Sequence, residues 1–116
     1  MSAPSHPVDS ETAQAARAFI DALGDRFDVA EARLFGSRAR GTHAPESDVD
    51  VAVLLKGARG DFVATKLAMA DIAFDAMLET GLLVEPLPIW LDEWNRPGDH
   101  SNPRLLENIA RDGERL

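Results

Sequence analysis

Residues 34–55 read LFGSRARGTHAPESDVDVAVLL, and the fold turns on how this stretch is read. A short apolar strand, Ala32–Phe35, runs into Gly36-Ser37. A polar loop, Thr42 to Ser47 with Pro45 inside it, leads into a second apolar run that carries Asp48 and Asp50. Side chains alternate faces along a strand, so residues two apart share one. Asp48 and Asp50 are therefore expected to project together, with Cα atoms about 7 Å apart. Val49, Val51 and Val53 then point the other way, into a core. Two adjacent carboxylates repel, and burying them unpaired costs several kcal/mol. A hard divalent cation such as Mg²⁺ removes that cost, because it takes carboxylate and phosphate oxygens. Two same-face aspartates can bracket a pair of such ions.

The turn before them supplies a complementary function. Gly36 lets the backbone bend sharply and lets a ligand come close. Ser37 is expected to cap a short helical turn, Arg38–Arg40, whose free N–H groups face an anion. The Ser37 hydroxyl and the Arg38 guanidinium can add to a phosphate. Arg40 has two readings: it reaches a phosphate, or it pairs with Asp48 or Glu46 to fix the loop. His43 reads as an exposed loop histidine.

Outward from this stretch the pattern is of alternating helices and strands. Asp9 or Ser10 can cap a helix to about Leu23, with Gly24 as its stop and Ala16, Phe19, Ile20 and Leu23 on its apolar side. Lys56–Gly60 reads as a flexible connector. Asp61 caps a long helix to about Thr80, closed by Gly81. Val63, Leu67, Ala70, Phe74 and Leu78 form one apolar face of it, and Met69, Ile72 and Met77 widen that face, so coverage on more than one side is expected. A third strand spans 82–90. Glu85 lies in it among apolar neighbours, either as part of a site or, with Pro86 and Pro88 marking an edge strand, splayed into water. Trp90 and Trp94 read as packing residues. Asn102 caps and Pro103 begins a last helix, ended by Gly113. The order helix, strand, strand, helix, strand, helix implies an α/β fold with a small mixed sheet and helices packed on it.

Composition narrows the classes. The 116 residues make one domain, expected over 9–116 after a frayed segment at 1–8. A net charge of −8 and a pI near 4.7 argue against a protein that grips long nucleic acid. The chain has no cysteine, which excludes disulfides and thiolate-bound zinc. No run approaches the roughly 20 apolar residues of a membrane span, so a soluble cytoplasmic protein is the expectation.

Gly36-Ser37 followed after ten residues by Asp48-Val49-Asp50 resembles the signature of the polymerase-beta-like nucleotidyltransferase superfamily. The fuller string GSRARG…SDVDVAV is similar to its minimal nucleotidyltransferase (MNT) branch, small proteins often paired with a helical HEPN-domain toxin. The specific match covers about 22 residues. The resemblance implies a triphosphate-holding turn at Gly36 and Ser37 and metal-binding carboxylates at Asp48 and Asp50. It implies a third carboxylate on the neighbouring strand, for which Glu85 is the candidate. It further implies ATP as substrate, Mg²⁺ as cofactor and AMP transfer to an acceptor hydroxyl, such as a tyrosine of a HEPN toxin. One alternative is an antitoxin that neutralises its partner by contact without catalysis. Another is a transferase for small molecules, with a homodimer building the acceptor pocket.

Overall fold

Every residue of the strand Val49–Leu55 is buried except Asp50. Five apolar residues in sequence, Val51–Leu55, are covered on both sides of the sheet, which requires helices on both faces. The computed structural model describes residues 8–116, and the expected frayed segment falls almost wholly outside them. It contains α1 Ser10–Leu23, β1 Val29–Phe35, α2 Ser37–Arg40, β2 Val49–Leu55, α3 Phe62–Thr80, β3 Val84–Trp90, α4 Leu91–Asn95, a 3₁₀ turn Pro97–Asp99, α5 Pro103–Asp112 and β4 Glu114–Arg115. The sheet order is β3-β2-β1-β4. β1 runs antiparallel to β2 and to β4, and β2 runs parallel to β3, so the sheet is mixed as expected.

The parallel β2–β3 pair requires a crossover, and α3 supplies it. Val49, Val51, Val53, Leu34 and Val84 form a core with Ala16, Phe19 and Leu23 of α1 and Met69, Ile72 and Ala73 of α3. On the opposite face Ala52, Leu54 and Ile89 pack against Leu106 and Ile109 of α5. Leu87 and Trp94 close that second core, and the Arg33 guanidinium lies 5.3 Å from the Trp94 ring centre. Trp90 is buried in the first core, so both tryptophans are packing residues.

Local signals set the helix ends. The Asp9 carboxylate accepts from Thr12 N at 2.8 Å, the Asp61 carboxylate from Ala64 N at 3.0 Å, and the Asn102 amide oxygen from Leu105 N at 3.3 Å. Gly81, at φ +81°, stops α3 by donating its N–H to Met77 O.

The structure departs from the sequence reading at several places. The α2 N-cap is Gly36, not Ser37, and no side chain caps that turn. His43 is not a free loop residue: its Nε2 lies 3.0 Å from the Asp9 carboxylate, and its side chain is only 20% exposed. The Val63, Leu67, Phe74 and Leu78 face of α3 points to solvent, while Met69, Ile72, Ala73 and Ala76 are the side that packs on the sheet. The short α4 and the two-residue β4 have no sequence signal of their own. β4 forms because Gly113 ends α5 where residues 114–115 can pair with Arg33 and Leu34. Among the described residues no helix is long and apolar enough to cross a membrane.

Candidate active site

The register of the sheet sets Asp50 between two neighbours. Its Cα partner on β1 is Phe35, and its partner on β3 is Glu85. Phe35 is the last residue of β1, so the bend at Gly36 falls directly beside the Asp50 carboxylate. Gly36 has φ +77°, a conformation L side chains rarely adopt. A Cβ at that position would collide with Asp50 Oδ2. The glycine is therefore required twice, by the backbone angle and by the carboxylate that fills the space of its missing side chain. Strand end and turn are packed into one unit.

Asp48 precedes the first residue of β2 and is exposed, whereas Asp50 is half-buried. The Asp50 carboxyl titrates above the usual carboxylate range. Burial is the main cause, followed by the negative charges of Asp48 and then Glu85, with Arg40 opposing them. The charges of Asp48 and Glu85 thus both act on Asp50. Glu85 is turned outward, however, and its Oε1 lies 3.2 Å from Lys66 Nζ at the edge of the sheet. Among the described residues no group of three His, Asp or Glu side chains stands close enough to hold a metal ion. The donor set at Asp48 and Asp50 still fits a hard divalent cation in kind: two carboxylates, one of them held above its normal pKa by burial first and by like charge second.

Arg38 does not take the phosphate-facing place expected of it. It is 3% exposed. Its guanidinium donates from Nη1 to Thr12 Oγ1 at 2.7 Å, from Nε to Ser47 O at 2.9 Å and from Nη2 to Pro45 O at 2.9 Å. Burying a guanidinium requires partners for its N–H groups, and here α1 and the loop before Asp48 provide them. Arg38 is a clamp on the loop that delivers Asp48. The sequence signal that could have revealed this is the hydroxyl at Thr12, which lies on the otherwise apolar side of α1 and is fully buried.

Arg40, by contrast, is exposed, and among the described residues it forms no ion pair with Asp48 or Glu46. Its positive charge acts on Asp50 and on Asp112. With Phe35, Gly36, Leu105, Asn108 and Asp112 it lines a cavity of about 240 Å³ that opens beside the turn. Ser37, at the first position of α2, is half-exposed.

Comparison with known proteins agrees with this fold. Two solved structures share the fold. One, a crystal structure of a toxin–antitoxin with AMP-PNP, is 22% identical with a TM-score of 0.59, over 85% of this chain and 69% of the other. The second, a proposed nucleotidyltransferase from Sulfolobus solfataricus, is 21% identical with a TM-score of 0.51, over 79% of this chain and 84% of the other. No curated protein matches the chain. Residues 16–94 match the family model described as the nucleotidyltransferase domain. That match runs from within α1 to α4 and contains the Gly36 turn, both aspartates and Glu85. With well over half of its length inside that model, the chain belongs to the nucleotidyltransferase domain family.

Proposed function

We propose that this protein moves AMP from Mg-ATP to a hydroxyl on a partner protein, a tyrosine of a helical HEPN-type toxin, and acts as the antitoxin of that pair in the cytoplasm. The observation that carries the reading is the closure of the Gly36 turn on the Asp50 carboxylate, with Asp48 and Glu85 acting on the same point. The cavity of about 240 Å³ beside the Gly36 turn, near a half-buried Asp50 and an exposed Asp48, suits a triphosphate that shares a cation with those acids. The structurally similar toxin–antitoxin was crystallised with AMP-PNP, which supports ATP as donor and a protein as acceptor.

In this scheme Gly36 and Ser37 hold the β- and γ-phosphates through backbone N–H and hydroxyl donors, and Arg40 takes the guanidinium role that Arg38 cannot. Asp48 and Asp50 hold Mg²⁺, which would neutralise the triphosphate and the departing pyrophosphate. The acceptor oxygen forms a bond to the α-phosphorus as the bond to the β-phosphate oxygen breaks. Glu85, one strand from Asp50, takes the hydroxyl proton. Positioning and charge neutralisation supply most of the rate.

The test is incubation with α-labelled ATP, Mg²⁺ and the protein encoded beside this one. Label on the partner that disappears with Asp50→Asn supports the proposal, and equal labelling by wild type and variant overturns it. The outward pairing of Glu85 with Lys66 favours a second reading, an antitoxin that acts by contact alone. Rescue of growth by the Asp48→Asn/Asp50→Asn double variant would select that reading.

A further inference from the structure

The sequence reading buries a face of α3 that the structure leaves in water. Val63 is 64% exposed, Leu67 62%, Phe74 54% and Leu78 71%. Val63, Leu67, Ala70 and Phe74 follow one another at intervals of four, three and four residues, so they form a continuous seam along one side of the helix. The four large side chains expose roughly 450 Å² together, within the size at which an exposed apolar patch marks an interaction site. The other side of the same helix, Met69, Ile72, Ala73 and Ala76, is already committed to the sheet. The seam is thus additional to what folding requires.

Charge identifies what covers it. Asp71, Asp75 and Glu79 are all exposed and recur every fourth residue, a row that runs along one flank of the seam. Lys66 is the sole basic residue of α3, lies on the other flank, and is paired with Glu85. Two copies of α3 packed antiparallel about a twofold axis would set acidic flank against acidic flank, which is repulsive. The chain's net charge of −8 adds to that penalty.

We propose that the outward face of α3 docks an amphipathic helix of a partner protein, apolar along one stripe and carrying Lys or Arg along its flank. Leu67 and Phe74 are the anchors, and the acidic row selects the partner and its direction. Covering the seam buries about 1,000 Å² counted over both sides, the range of transient complexes. The Lys66–Glu85 pair links the start of the seam to the edge of the carboxylate site, so a partner seated there lies beside the acids. This goes beyond the transfer chemistry and does not depend on it.

The test uses the full chain without nucleotide. A fluorescent 20-residue helical peptide with Leu at the seam positions and Lys along one flank is titrated by anisotropy, beside the same peptide with Glu in place of Lys. The Lys peptide is expected to bind at least tenfold tighter. Leu67→Asp is expected to weaken it at least tenfold, and Asp71→Lys/Asp75→Lys/Glu79→Lys to reverse the preference, with circular dichroism and melting temperature retained because every changed side chain is exposed. Equal binding of the two peptides, or no binding of either, overturns the proposal. So does sedimentation of the wild-type chain as a dimer that Leu67→Asp dissociates, which would assign the face to a second copy.

Discussion

Arg38 Nη1 donates to Thr12 Oγ1 at 2.7 Å across 26 residues of chain, and through it the first helix holds the turn and the loop that present the acids. Replacing Arg38 with Met keeps the stem but leaves the Thr12 hydroxyl and the Pro45 and Ser47 carbonyls without their partner. A buried polar group left unmet costs about 1–3 kcal/mol, so Arg38→Met is expected to cost about 3 kcal/mol in total. Arg38→Lys is expected to recover less than half, since an ammonium cannot span three acceptors arranged for a planar fork. Urea denaturation midpoints at unchanged slope measure both. Because the clamp fixes the loop before Asp48, the Mg²⁺ concentration for half-maximal transfer is also expected to rise.

Gly36 and Gly57 separate backbone strain from contact with the site. Both have positive φ, +77° and +92°, but a Cβ at Gly57 meets nothing within 4 Å, whereas one at Gly36 meets Asp50. Gly57→Ala is expected to cost about 1 kcal/mol from strain alone, with transfer activity retained. Gly36→Ala carries the same strain and also displaces the Asp50 carboxylate, so transfer is expected to fall at least 100-fold. Melting temperatures and initial rates of the two variants, taken side by side, decide this.

The parts of the fold legible in the sequence are those in which one physical rule acts alone. The α3 start at Asp61, the α5 start at Asn102-Pro103 and the stop at Gly81 follow from capping chemistry, which neighbours in space do not alter. Asp50 stands out in the sequence because aspartate breaks the apolar run of β2. Periodicity failed on α3, since both of its sides are apolar and spacing does not say which one meets the sheet. Arg38 failed because its Thr12 partner is distant in sequence, and a basic residue next to a glycine-serine turn reads equally well as a phosphate ligand. β4 was invisible: two residues carry no pattern, and they pair because the end of α5 sets them beside β1.

Asp50 is expected to destabilise the fold at neutral pH. Its carboxyl is held above the normal range by burial first and by Asp48 and Glu85 next, so the native state binds a proton more readily than the unfolded chain does. Stability attributable to this group is therefore present below the unfolded pKa and falls as pH rises through the native one. Asp50→Asn removes that dependence. The variant is expected to melt above wild type at pH 7, with the difference closing toward pH 3. Mg²⁺ is expected to raise the wild-type melting temperature at pH 7 and to leave Asp50→Asn unchanged. Differential scanning calorimetry across pH, with and without the ion, gives both readings.

Lys66 and Glu85 decide whether the third acid belongs to the site. Lys66 Nζ lies 3.2 Å from Glu85 Oε1, but both side chains are more than a third exposed, at 37% and 47%. An ion pair this open contributes little to stability, so Lys66→Met is expected to change it by less than about 0.5 kcal/mol. Glu85 is the neighbour of Asp50 in the β2–β3 register, and its carboxylate is engaged by Lys66. If Glu85 is a ligand that turns inward, Lys66 competes with the cation for it. Lys66→Met is then expected to lower the Mg²⁺ concentration for half-maximal transfer several-fold, and Glu85→Gln to raise it at least tenfold. A Glu85 that only decorates the edge strand predicts something different: both variants would titrate with Mg²⁺ as wild type does, and Asp48 and Asp50 would be the complete set of metal ligands.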